Sequence, residues 1–227
     1  SDAFTDGKAT VDGTDYDFAT DIKVVAPNGA TVDKTALKNY YNFTLVDNNK
    51  DDDYDYLVVQ PFAVAQIDVL TSSRVTLSAK GGTDTDLKNS SFDLKKDDVT
   101  LYDKAAEDDF VVVVDKANTV SGNTEITAAT IVTGEVSASK GSISDVRVDG
   151  TWYSVVTSPS GDNLKVNNSY NLAMVNGFVF DADKTAGSVS AENILYVEKV
   201  GALKSGIADG VEAKVWFADG TKQTVTV

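Results

Sequence analysis

Val11-Asp12-Gly13-Thr14-Asp15-Tyr16 recurs in the second half of the chain as Val148-Asp149-Gly150-Thr151-Trp152-Tyr153. Downstream of the two copies, Asn39-Tyr40-Tyr41-Asn42-Phe43-Thr44-Leu45-Val46 is matched by Asn168-Ser169-Tyr170-Asn171-Leu172-Ala173-Met174-Val175. Both matches stand in the same order, so one unit is present twice, and such a repeat decides the architecture. Each unit predicts a strand, an Asp-Gly turn, a second strand, a variable excursion and then two strands joined by another turn.

Strand signals also dominate outside the repeat. Alternating apolar and polar residues at Val211–Phe217 predict a half-buried strand, with Trp216 facing away from Val215 and Phe217. Phe110–Val114 is continuously apolar and β-branched, which favours a strand buried on both faces. Phe62–Leu77, interrupted by Thr71-Ser72-Ser73, predicts two strands joined by a tight turn.

We therefore predict an all-β chain of two related sandwich- or barrel-like modules, with at most one or two short helices. The first module covers residues 1–127 and carries an acidic loop at 47–55, and the second covers residues 128–227. A short helix is expected within Thr31–Tyr40, capped by Thr31 or Asp33, and a single helical turn at Ser190–Asn193.

The composition excludes several classes of function. The chain of 227 residues has a net charge of −15 and a pI near 4.3, so it should repel nucleic acid and anionic membranes. It contains no cysteine and no histidine, which removes disulfides, thiol nucleophiles, His-ligated zinc and the Ser-His-Asp relay. No apolar run is long enough to predict a membrane insertion. Because Ser1-Asp2-Ala3 opens without a signal pattern, we expect a piece of a longer protein.

The acidic loop is the candidate metal site. Oxygen donors alternate along it at Asp47, Asn49, Asp51, Asp53 and Asp55. Alternating oxygen ligands are the pattern by which a calcium loop wraps around one ion. An EF-hand loop has Gly at its sixth position and Glu at its twelfth, whereas this loop has Asp52 and Val58 there. Weak calcium binding and a purely solvated acidic turn are the two interpretations.

Three stretches resemble the β-rich repeat regions of bacterial surface-layer-type proteins, which carry surface-layer homology (wall-anchoring) modules elsewhere. Thr133-Gly134-Glu135-Val136 with Val148–Tyr153 resembles their "TG-V … DGT-Y" opening. Val46–Val59 resembles their "DNDGDGKYDYV" turn, with Lys50 and Asp52 in place of glycines. Ala213–Thr221 running to Val227 resembles their closing hairpin. The resemblance implies an exported, extracellular, cell-surface-associated protein with a structural or adhesive role.

Two other functions are weighed against that role. A carbohydrate-binding module of a secreted polysaccharide-active protein needs exposed aromatic rings, for which Trp216 is the best candidate; packing against a neighbouring module is the other interpretation of this residue. A hydrolase fragment needs a cleft with two converging carboxylates. Ser137-Ala138-Ser139-Lys140 matches the S-x-x-K pattern of serine acyl enzymes, but its flanks predict strands, so we expect a chance match.

The expectation is thus a non-catalytic segment of an exported bacterial cell-surface protein, with no cofactor other than weakly bound calcium. Its expected partners are other modules of the same protein or cell-wall glycan.

Overall fold

The computed structural model describes residues 7–11, 14–141, 143–156, 164–185, 195–204, 210–217 and 222–226. These residues form an all-β structure of several sheets, one of them a closed barrel, which confirms the predicted fold class. The described residues contain no α-helix; their helical segments are 3₁₀ turns at Lys34–Ala36, Lys96–Asp98 and Lys116–Asn118. The first of these lies within the expected helix at Thr31–Tyr40, and the Asp33 carboxylate caps it by accepting from the Thr35 N–H. The helical turn expected at Ser190–Asn193 lies outside the described residues.

The first sheet has the strand order β1-β2-β4-β3. Its strands are β1 (Lys8–Val11), β2 (Thr14–Val25), β3 (Asn42–Val46) and β4 (Tyr54–Gln60). The β1–β2 and β3–β4 pairs are antiparallel, whereas β2 and β4 run parallel. Its core contains Phe18, Ile22, Val24, Leu37, Leu57 and Val59.

The central sheet has six strands in the order β7-β6-β5-β9-β10-β8. They are β5 (Ala63–Leu70), β6 (Arg74–Gly82), β7 (Phe92–Lys95), β8 (Val99–Leu101), β9 (Phe110–Val114) and β10 (Thr124–Ala128). The predicted turn at Thr71-Ser72-Ser73 joins β5 to β6, where the Thr71 hydroxyl accepts from the N–H groups of Ser73 and Arg74. Strand β9 pairs on both edges, and its Val111 and Val113 are fully buried, as its β-branched sequence predicted.

The closed barrel has the order β11-β12-β13-β15-β14. Its strands are β11 (Thr130–Lys140), β12 (Asp145–Val148), β13 (Thr151–Val155), β14 (Ser169–Val175) and β15 (Phe178–Lys184). Strand β11 closes the barrel, because it pairs antiparallel with β12 along one edge and with β14 along the other. Val136, Val146, Leu172 and Val179 in the barrel core are fully buried.

The sequence repeat is a repeat of topology. The order β1-β2-β4-β3 in the first sheet is the order β12-β13-β15-β14 in the barrel, with a hairpin followed by a parallel pair in both. Tyr16 and Tyr153 lie in equivalent second strands, opposite Ala9 and Val146 respectively. The prediction that the two copies share a strand order is therefore confirmed.

The chain divides into two compact units between Asp183 and Lys184. The second unit contains a sheet of β16 (Leu195–Lys204), β17 (Gly210–Phe217) and β18 (Lys222–Thr226), paired antiparallel in that order. The predicted modules 1–127 and 128–227 divide the chain at the step from the central sheet to the barrel, and this division stays a prediction. Among the described residues, no helix is long and apolar enough to cross a membrane.

Candidate functional site

The acidic loop joins β3 to β4 in the first sheet; it is exposed over residues 48–53, while Asp47 and Asp55 at its ends are half-buried. Its backbone turns through the left-handed region at Lys50 (φ 64°) and Asp52 (φ 73°). These are the two positions at which the resembled surface-layer pattern has glycine. L-residues with a Cβ pay a steric cost in this conformation, and Asp pays less than most. At both positions the loop thus has a backbone conformation that favours glycine, although neither residue is glycine.

Hydrogen bonds from backbone N–H groups to side-chain oxygens of the loop stabilise this conformation. The two carboxylate oxygens of Asp47 accept from the backbone N–H groups of Lys50 (2.5 Å) and Asp52 (3.2 Å). The Asn49 side-chain oxygen accepts from the Asp51 N–H, and the Asp51 carboxylate accepts from the Asp53 N–H, each at 3.1 Å. Such local bonds are typical of Asp and Asn in turns.

Asp55 ties the far end of the loop to its beginning. Its carboxylate accepts from the backbone N–H of Asn48 at 2.7 Å. The structure thus gathers Asp47, Asn49, Asp51 and Asp55 into one hydrogen-bonded loop, in which Asp53 takes part through its backbone. Four of the five predicted calcium ligands, all except Asp53, thus use a side-chain oxygen to accept a hydrogen bond from a backbone N–H of the loop.

The fit of calcium to this loop is mixed. Oxygen-only donors match what calcium prefers, and a carboxylate that accepts one N–H keeps lone pairs for an ion. Yet within the described residues no three acidic side chains converge as a metal-binding group. The five predicted ligands, Asp47, Asn49, Asp51, Asp53 and Asp55, remain the residues that would hold calcium, and its binding stays a hypothesis.

A second candidate lies on the C-terminal sheet around Trp216. As the alternation predicted, 40% of the Trp216 side chain is exposed while its neighbour Val215 is buried. The indole N–H donates to the Glu198 carboxylate at 2.8 Å, and the Lys222 ammonium pairs with the same carboxylate. The bond to Lys222 and then the bond to Trp216 lower the pKa of Glu198. Tyr196, 68% exposed, lies opposite Trp216 on β16.

Lysine covers both tryptophan rings. The Lys222 ammonium lies 4.5 Å from the Trp216 ring centroid, and the Lys140 ammonium lies 4.1 Å from that of Trp152, which is also 40% exposed. These are cation–π distances. A sugar that stacked on the covered face of either ring would first have to displace its lysine.

A pocket of about 420 Å³ lies where β6 of the central sheet meets the barrel. Its lining includes Tyr40, Phe180 and the ion pair of Lys80 with Asp181, whose Nζ and Oδ2 atoms are 3.2 Å apart. Among the described residues that line the pocket, Asp181 is the only acidic one, and it forms an ion pair with Lys80. The described lining therefore does not supply the paired carboxylates of a glycosidase site.

The S-x-x-K match lies on strand β11, as the flanking sequence predicted. The Ser137 hydroxyl donates to the Arg147 carbonyl, whereas Lys140 covers Trp152. The two side chains therefore have different partners, and they do not form the hydrogen bond that a nucleophile makes with its base.

Sequence reasoning missed two polar arrangements. The Lys80–Asp181 pair joins strands of different sheets, and nothing local in either strand signals it. The Glu198 contacts with Trp216 and Lys222 depend on the bulged register of β16 and β17, although the exposed tryptophan itself was predicted.

Comparison of the chain with protein-family models, curated proteins and solved structures finds no match.

Proposed function

We propose that this chain is a non-catalytic structural or adhesive segment of an exported bacterial cell-surface protein. The single observation that carries the proposal is the repeated module. One strand order occurs twice in series. The second copy and its closing strand β11 contain Val148–Tyr153 and Thr133–Val136, the stretches that resemble surface-layer-type repeats. Modules in series give a chain length and contact surface without requiring a reaction centre.

The chemistry of the side chains supports a role without catalysis. The sequence has neither His nor Cys, so a nucleophile would need Lys or a carboxylate as its base. The described lining of the pocket offers one carboxylate, that of Asp181, which is already paired with Lys80. The strong negative charge of the chain favours an aqueous, cation-rich setting over a nucleic-acid partner. Other modules of the same protein and cell-wall glycan are the partners that fit this role.

Location in the cell is the direct test. Intact cells of the source bacterium would be labelled with antibody against the chain and, in parallel, treated with protease before lysis. Surface exposure predicts labelling of intact cells and loss of the chain under protease, while a cytoplasmic enzyme used as control stays intact. Labelling that requires lysis contradicts the proposal.

Carbohydrate binding is the second candidate function, favoured by the exposed pair Tyr196 and Trp216. A glycan array probed with the parent chain and with Trp216→Ala tests it. Binding that disappears in this variant but persists in Trp152→Ala would support a sugar site on the C-terminal sheet. Equal signals from all three proteins would contradict it.

A further inference from the structure

In the described part of the chain, the first sheet has the strand order of the barrel without its closing strand. In the barrel, β11 lies between β12 and β14 and pairs with both. The equivalent strands in the first sheet, β1 and β3, are its two edges, and none of the described residues forms a strand that pairs with their outer sides. The described residues thus form the same motif once as a closed barrel and once as an open sheet.

Residues of β3 are more exposed than the residues at the equivalent positions of β14, as expected where the closing strand is missing. Leu172 of β14 is fully buried in the barrel core, whereas 42% of its counterpart Phe43 on β3 is exposed. Tyr170 is 1% exposed, and its counterpart Tyr41 is half-buried. Tyr41, which directly precedes β3, packs beside Phe43 with their ring centroids 6.2 Å apart. These two residues form the wall that the closing strand covers in the barrel.

The edge of β3 carries none of the usual protection. Exposed edge strands are normally blunted by charged residues, proline or bulges. The sequence Asn42-Phe43-Thr44-Leu45-Val46 has no charge and no proline, and its register with β4 is regular. At its first residue, the Asn42 side-chain oxygen accepts from the Asn176 amide at 2.7 Å. The unprotected part of the edge is therefore Phe43–Val46.

Strand β11 of the barrel indicates which kind of strand could pair with the edge of β3. Strand β11 directs Val132 and Val136 inward and leaves Ile131 and Glu135 exposed. Its register pairs Thr130 with Met174, the counterpart of Leu45. A strand in this register would begin at the Val46 end of β3, next to the acidic loop. Charge complementarity then favours a partner with basic residues just before its strand.

We propose that β1 and β3 form a seat for one extended segment of another polypeptide chain, which completes the first sheet as β11 completes the barrel. The segment alternates apolar residues on its inner side and is preceded by basic residues. Main-chain hydrogen bonds to the sheet edge supply affinity, and the wall formed by exposed Phe43 and half-buried Tyr41 supplies specificity. The proposal rests on the repeat and holds whether or not the chain is a surface protein.

The experiment uses the full chain and a synthetic peptide with the sequence of residues 130–140, preceded by three lysines and labelled for fluorescence anisotropy. Specific binding is expected, and a scrambled peptide of the same composition should bind at least about tenfold more weakly, because it loses the alternating pattern. Removing the lysines should weaken binding at low salt, and that difference should shrink at about 0.5 M salt.

Two variants locate the site. Phe43→Lys should weaken peptide binding about tenfold or more, because the wall loses a large apolar contact. Ile131→Lys is the matched control, since Ile131 is 44% exposed on the outer side of β11, and its affinity should stay within about twofold of the parent. Hydrogen exchange should show new protection, when the peptide binds, of those amides among residues 43–46 that do not already bond to β4.

Three results would overturn the proposal. The first is peptide binding no stronger than that of the scrambled control. The second is equal loss of affinity in Phe43→Lys and Ile131→Lys. The third is full protection of the β3 edge amides in the chain alone, which would mean that a segment of the chain itself already fills the seat.

Discussion

Gly134 on β11 lies so close to Val148 on β12 that a Cβ at this glycine would be 2.5 Å from the Val148 Cγ1 atom. The Asp149 carboxylate would be 3.0 Å from the same Cβ. Val148 is 1% exposed and belongs to the barrel core, so it has little room to move. A side chain at position 134 would therefore collide with Val148, the last residue of β12, with which β11 pairs.

Gly134→Ala should therefore destabilise the chain by about 1–3 kcal/mol, the usual cost of overpacking. Urea unfolding measures the change. In a Val148→Ala background, where the clashing methyl is gone, the same substitution should cost clearly less. Equal costs in both backgrounds would show that Val148 is not the source of the strain.

Tyr102 gives a prediction for alkaline pH. Its hydroxyl donates to the Asp109 carboxylate at 2.6 Å, and burial, followed by this bond and the negative charge of Asp109, raises the pKa of Tyr102. Because the pKa is raised in the folded state, the contribution of Tyr102 to the free energy of unfolding is complete below the pKa of unfolded Tyr, which is near 10. This contribution is lost as the pH rises above that value. The free energy of unfolding should thus fall more steeply above about pH 10 in the parent than in Tyr102→Phe. Parallel curves for the two proteins would contradict this.

Glu198 gives the opposite dependence. Its lowered pKa, due first to Lys222 and then to Trp216, means that its contribution is present above the usual value for Glu and is lost as the pH falls through the lowered value. In Trp152→Phe, Trp216 is the single tryptophan and reports on its partner by fluorescence. When the pH is lowered, the Trp216 fluorescence should change with a midpoint below the normal range of Glu pKa values. This change should vanish in Trp152→Phe/Glu198→Gln. A transition that survives this second change would have another source.

The features predicted from sequence are those fixed within a few residues. Asp149-Gly150 predicted a hairpin, and both residues have the positive φ that such a tight turn needs. Phe110–Val114 predicted a doubly covered strand because its composition reports its surroundings directly. The Lys80–Asp181 pair and the parallel β2–β4 pairing were not predicted, since each joins distant segments whose meeting depends on the whole fold. For the candidate site, the sequence predicted the loop and its calcium ligands. It did not predict that the side-chain oxygens of these ligands would accept hydrogen bonds from the backbone of the loop.

The left-handed conformation of Asp52 leads to a stability prediction. Asp52→Gly and Asp52→Ala remove the same charge, yet only glycine adopts a φ of 73° without a steric cost. The glycine variant should be more stable than the alanine variant by about 1 kcal/mol, even though glycine is the more flexible residue when unfolded. Chemical denaturation of both proteins in chelator measures the difference. An alanine variant of equal or greater stability would show that the loop does not hold this conformation in solution.

Calcium binding at the same loop is the last prediction. Five side-chain oxygen donors supply most of the six to eight ligands that calcium takes, but several of them already accept from the loop backbone. We therefore expect affinity in the high-micromolar to millimolar range of extracellular modules, and stabilisation of about 1 kcal/mol or less at millimolar calcium. Thermal melting in calcium and in chelator should show a small upward shift for the parent and none for Asp51→Ala/Asp53→Ala. Asp97→Ala/Asp98→Ala, which removes two acids from the 3₁₀ turn of the central sheet, is the control with equal charge and should keep the shift. A parent that melts identically in calcium and chelator, with no heat of binding at millimolar calcium, would leave the loop as a solvated acidic turn.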